Sequence, residues 1–198
     1  PIYLFDLQFR PDKDLKAIQE TMLTGSLLQV KQQLELYLAN LSRSLDGDDW
    51  QKQLSSIQQL YQLLLVDNQF NNYEQNTLVG QMICQMLTQS SGIVSCIQSP
   101  RSTLQREVMI VNEFLLQKYG ILLSQYLAII IDPVLSLLGK RGVYFECQAA
   151  SLLKTIAVHS NLQKILFQKC FSQLRVSKIP SAKCYIMDAM LMCLLSLK

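Results

Sequence analysis

The chain has 198 residues, 49% of them hydrophobic and only 17% charged, which is enough for one domain with a sizeable core. Seven glycines and five prolines are few for a β-rich protein of this size, so composition points to an all-α domain. The formal charge of +3 is uneven: six Lys and Arg stand against ten Asp and Glu up to Gln98, and twelve against five from Ser99 on.

Residues 1–10 alternate, with Tyr3, Phe5, Leu7 and Phe9 against Asp6, Gln8 and Arg10. That is strand spacing, but no second strand follows to pair with it. The expectation is an extended N-terminal arm lying over helices or over another chain, ahead of a single helical domain at 11–198. The chain starts at Pro1, so it is expected to be part of a longer one.

Pro11 and Asp12 open a helix that Gly25 stops, and Ser26 opens the next, running to about Ser44. The acids of 46–49 form a turn and cap a helix beginning near Trp50. Residues 67–76 form the clearest polar connection, placing the next helix at 77–88. Ser91 and Gly92 break that helix, and 93–97 form a short apolar piece. Ser99–Pro100 starts a helix that reaches Lys118 and ends at Gly120. Residues 121–138 are almost wholly apolar. Their length would suffice to span a membrane, but Gln125 and the Asp132–Pro133 pair interrupt the run, and no membrane segment is expected.

The stretch 129–167 carries the densest pattern. Asp132 is placed as an N-cap with Pro133 at the first helical position. Gly139 and Gly142 bracket Lys140 and Arg141 as a helix stop and a tight turn. Ala149, Ala150, Leu153, Ile156 and Ala157 then recur on one helix face, and the alanines let a neighbouring helix come close. Further helices are expected at 162–174 and from Ser181, after a turn at Ile179–Pro180. The last of them, 184–197, roughly repeats the pattern at Cys147 about 37 residues later.

In the segments Asp132-Pro-Val-Leu-Ser-Leu-Leu138 and Gln148-Ala-Ala-Ser-Leu-Leu-Lys-Thr-Ile-Ala157, with Asn161 and Ile165 behind them, the chain resembles an armadillo repeat. About forty residues are covered, roughly one repeat period. The resemblance implies an irregular armadillo- or HEAT-like α-solenoid of antiparallel helices. Peptide-binding members carry a tryptophan and an asparagine where Ser151 and Thr155 stand here, so it does not imply peptide capture in their manner. The glycine usual at the start of the next repeat is replaced by Lys169 and Cys170.

Few residues suggest chemistry. The six cysteines form no Cys-x-x-Cys pair and mostly sit on apolar faces, as reduced thiols would. His159, the single histidine, falls near a helix C-terminus, where it complements the helix dipole. It is too isolated for a tetrahedral metal site. Asp46, Asp48 and Asp49 lack the later glutamate of an EF-hand. No phosphate-binding glycine motif occurs.

The sequence therefore leads us to expect a non-enzymatic scaffold for protein–protein interaction: a subunit of an intracellular complex, nuclear or cytoplasmic, homo- or hetero-oligomeric, with no cofactor, metal or small-molecule substrate. The second expectation is a scaffold that meets nucleic acid through its basic later half, although the cations lack the aromatic interleaving of a single-strand platform. The candidate contact residues are Tyr3, Phe5 and Phe9 on the arm, the cations Lys140, Arg141, Lys154 and Lys183, and Met187, Met190 and Leu194 on the last helix.

Overall fold

The computed structural model describes residues 13–67, 73–139 and 142–197, all helices and short connections, with no strand among them. Tyr3, Phe5 and Phe9 of the expected arm, and Lys140 and Arg141, lie outside the described residues.

Helix α1 (Lys13–Thr24) is followed by α2 (Leu27–Leu45), which begins in a capping box. The Ser26 backbone N–H donates to Gln29 Oε1 at 2.8 Å, and Gln29 N–H returns a bond to Ser26 Oγ. Helix α3 (Trp50–Asp67) starts where Asp49 Oδ1 accepts from the Gln51 N–H at 3.0 Å. Asp46 does something the sequence did not suggest. It reaches across to the connection before α5 (Gly92–Gln98), accepting from Ser90 Oγ at 2.9 Å and the Gly92 N–H at 2.8 Å.

Helix α4 (Tyr73–Gln89) starts four residues before the expected position. Tertiary contacts decide this: Gln75 is buried and its amide donates to the carbonyl of Met22 in α1. Helix α6 (Ser102–Tyr119) ends at Gly120, whose φ of +45° suits glycine. A Cβ there would also sit 2.7 Å from the His159 carbonyl. A 3-10 turn (Gly120–Leu123) leads into α7 (Ser124–Leu135). Asp132 and Pro133 therefore lie inside α7 instead of opening a helix. Pro133 lies two residues before the end of α7 and forgoes its own internal N–H bond there. Helices α8 (Val143–His159), α9 (Gln163–Val176) and α10 (Pro180–Ser196) complete the chain.

Helix contacts run along two rows. Helix α2 packs on α4, α4 on α7, and α7 on α9; α3 packs on α6, α6 on α8, and α8 on α10. Cross-contacts of α2 with α3, α7 with α8, and α9 with α10 tie the rows together. The core lies between them and is continuous from Leu15 to Cys193. By length and composition the run Ser102–Leu135, in which an 18-residue window has a mean hydropathy of 1.5, could cross a membrane. Here it is interrupted at Gly120, and Leu104, Val108, Leu115, Leu127 and Ile130 are fully buried in the core.

Glutamine has a recurring job at the helix junctions. The last carbonyls of a helix have no partner within it. Gln53 donates to the Leu45 and Gly47 carbonyls at 3.0 and 2.8 Å, and Gln105 to the Ile97 carbonyl at 2.5 Å. Gln163 donates to Ala157 and Ser160, and Gln75 to Met22. In each case a glutamine from the first turn of one helix satisfies the end of an earlier one.

Candidate interaction surface

Helix α10 is apolar on two sides. Ala182, Ile186, Ala189 and Cys193 recur at four-, three- and four-residue spacing and are buried against α8 and α9. Met187, Leu191, Leu194 and Leu195 occupy the opposite side at the same kind of spacing, and each is between 49 and 70% exposed. A helix that is apolar nearly all round is normally covered nearly all round. This one has a second packing face with no neighbour on it among the described residues. Met190, one of the expected contact residues, lies between the two faces and packs partly on the core, whereas Met187 and Leu194 are on the open side. Leu191 lies within the span expected to make contact but is not among the residues named, and Leu195 lies beyond that span. The spacing from Met187 (i, i+4, i+7, i+8) was the signal that could have found them.

Charge gathers at one end of this face. Between Glu146 and Asp188 the sequence has no acidic residue. Helices α9 and α10 are consecutive and packed together, so the turn joining them brings Arg175, Lys178 and Lys183 to one end of the pair. All three are exposed, and among the described residues none forms an ion pair. The nearby acids are engaged. Asp188 pairs with Lys154 at 3.0 Å. Asp132 pairs with Lys169. Glu146 is buried, accepting from Ser181 Oγ at 3.1 Å. Lys154 and Lys183 are thus not one patch: Lys154 is spent on Asp188. Five residues from Asp188, Lys183 is turned by about 140° to another flank of α10.

Other surfaces are less distinctive. Shallow grooves of about 700, 540 and 550 Å³ follow the α2–α4, α4–α7 and α7–α9 contacts. Their linings are largely Gln, Ser, Thr and aliphatic side chains, and the ion pairs Lys31–Glu35 and Lys169–Asp132 are among them. At the other end of the chain Leu23, Leu28 and Leu36 are exposed on α1 and α2, with Glu20, Lys31 and Glu35 close to them in the sequence. No three His, Cys, Asp or Glu side chains come together to hold a metal among the described residues.

The buried ionisable groups serve the packing. Asp67 at the end of α3 pairs with Lys118 and accepts from the Tyr119 hydroxyl at 2.7 Å. With its amide turned to donate, Asn76 of α4 reaches both Asp67 oxygens, at 3.0 and 3.3 Å. Burial lowers the Lys118 ammonium's affinity for its proton, and the Asp67 carboxylate partly offsets this. The cluster ties three helix ends together. Tyr126, fully buried, donates to Asn112 Oδ1, whose amide in turn donates to the Val108 carbonyl.

No protein-family model matches the chain, and no curated protein matches it. The surface must therefore be judged by its own chemistry: one long apolar helix face, open, with unpaired cations at one end.

Proposed function

We propose that the chain is an irregular armadillo- or HEAT-like α-solenoid serving as a non-enzymatic scaffold in a multi-protein intracellular complex. The single observation that carries this is the open face of α10. Fully burying a Leu or Met side chain is worth about 1.5–3 kcal/mol, so four of them offset a useful part of the cost of association. The two helix rows and the 37-residue spacing of the last two long helices support the solenoid part of the reading. All six cysteines are free, and Cys84, Cys96, Cys170 and Cys193 are buried; this suits a reducing compartment, nucleus or cytoplasm. The alternative, a scaffold that meets nucleic acid, draws on the same cations. The apolar stripe beside them favours a protein partner.

Site-specific photo-crosslinking tests the proposal. With a photoreactive side chain at position 191 of the chain expressed in its own cells, we expect a discrete protein adduct. With the same group at exposed position 52 on α3, we expect none. The same result at both positions contradicts a specific interface on α10.

A further inference from the structure

We infer that the open face of α10 receives an amphipathic helix of a partner protein, with acidic residues clustered at the end of that helix lying over the α9–α10 turn. The inference rests on the reading of this face as an interface and adds the chemistry of its occupant. Three observations carry it.

The first is shape. Met187, Leu191, Leu194 and Leu195 project along one side of α10, and the opposite side of that helix already packs on α8 and α9 through the same kind of spacing. A ridge of this kind fits the groove of a second helix, and recognition of helices reads anchors at these intervals. The second is charge. Arg175, Lys178 and Lys183 stand unpaired at one end of the stripe, while Asp188, the one acid on α9 or α10, is neutralised by Lys154. A carboxylate brought to this end gains attraction and meets no free acid of α9 or α10. The third is the start of α10 itself. Pro180 occupies its first turn, no side chain caps it, and its positive dipole end faces the same region. Lys164, at the far end of α9, is also unpaired, but it stands apart from the other three cations.

The test uses the full chain and defined probes. A fluorescent synthetic helix with leucines at i, i+4, i+7 and i+8 and glutamates in one terminal turn is titrated against the chain. It is compared with the same helix carrying glutamines, with phosphatidylserine–phosphatidylcholine vesicles and with a DNA oligonucleotide. We expect the acidic helix to bind about tenfold more tightly than the glutamine version, with the advantage shrinking as salt rises. Leu191→Asp should abolish binding while circular dichroism remains helical. The double variant Lys178→Glu, Lys183→Glu should reverse the preference, so that a lysine-tipped helix binds better than the glutamate-tipped one. Equal binding of the acidic and glutamine helices overturns the inference, as does binding to vesicles or DNA but to neither helix. The crosslink at position 191 is scored separately. An adduct there without preference for the acidic helix leaves the interface standing and removes this occupant. Loss of both removes the interface as well.

Discussion

Individual residues explain why so apolar a chain can carry cysteine and glutamine without penalty. Burial pushes the thiols of Cys96 and Cys170 up to about 12 and that of Cys193 up to about 11, from an ordinary 9.0. The sign of the consequence follows from proton counting. Above pH 9 the unfolded chain has lost these protons while the folded chain keeps them, so stability is fully present below pH 9 and falls as pH rises toward 11–12. The urea midpoint should therefore decline steadily from about pH 9 upward. Cys96→Ala should lower the neutral midpoint, through the cavity it leaves, yet flatten that decline. An unchanged slope in the variant would place the alkaline sensitivity elsewhere. The buried cysteines were legible in the sequence from their apolar neighbours. Asp46 was not: its charge suggested a cap for the helix just ahead, and only the fold shows it satisfying Ser90 and Gly92.

At the scale of the element, local signals located most of the helices. Ser26 and Gly120 each act through the backbone of their own neighbours, so sequence alone exposes them. The failures occur where distant contacts outweigh local preference. Tyr73 to Asn76 resemble a polar loop, yet they fold as the first turn of α4 because Gln75 has the end of α1 to bond. Asp132–Pro133 resembles a helix start, yet α7 runs through it because Ile130, Ile131, Val134 and Leu135 are all buried on continuous helical spacing. The glutamine bridges between helices invite a direct check. Gln105→Ala leaves the Ile97 carbonyl without its partner in a buried setting, and should cost about 1–3 kcal/mol. Chemical denaturation measures this. A loss below about 0.5 kcal/mol, the range of neutral surface changes, would mean that water replaces the amide.

For the whole molecule, the order of helix contacts follows from pairing a row of α2, α4, α7 and α9 with a row of α3, α6, α8 and α10. Only the later half of this was visible beforehand, through the spacing between α8 and α10. The earlier helices share lengths but no motif, because a buried face can be filled by many combinations of Leu, Ile, Val and Met. The exposed face of α10 was partly legible too: the terminal helix is apolar throughout, but which residues face outward depends on where α8 and α9 lie. Turning α10 about its axis by one position, about 100°, would bury Met187 and Leu194 and expose Ala189.

Hence Leu191→Asp puts the open face of α10 to the sharpest test, through paired measurements of stability and of the proteins that co-purify with the chain. The unfolding free energy should stay within about 0.5 kcal/mol of the wild type, and co-purifying partners should be lost. Partners retained in full by the folded variant, or a variant that fails to fold, would contradict it.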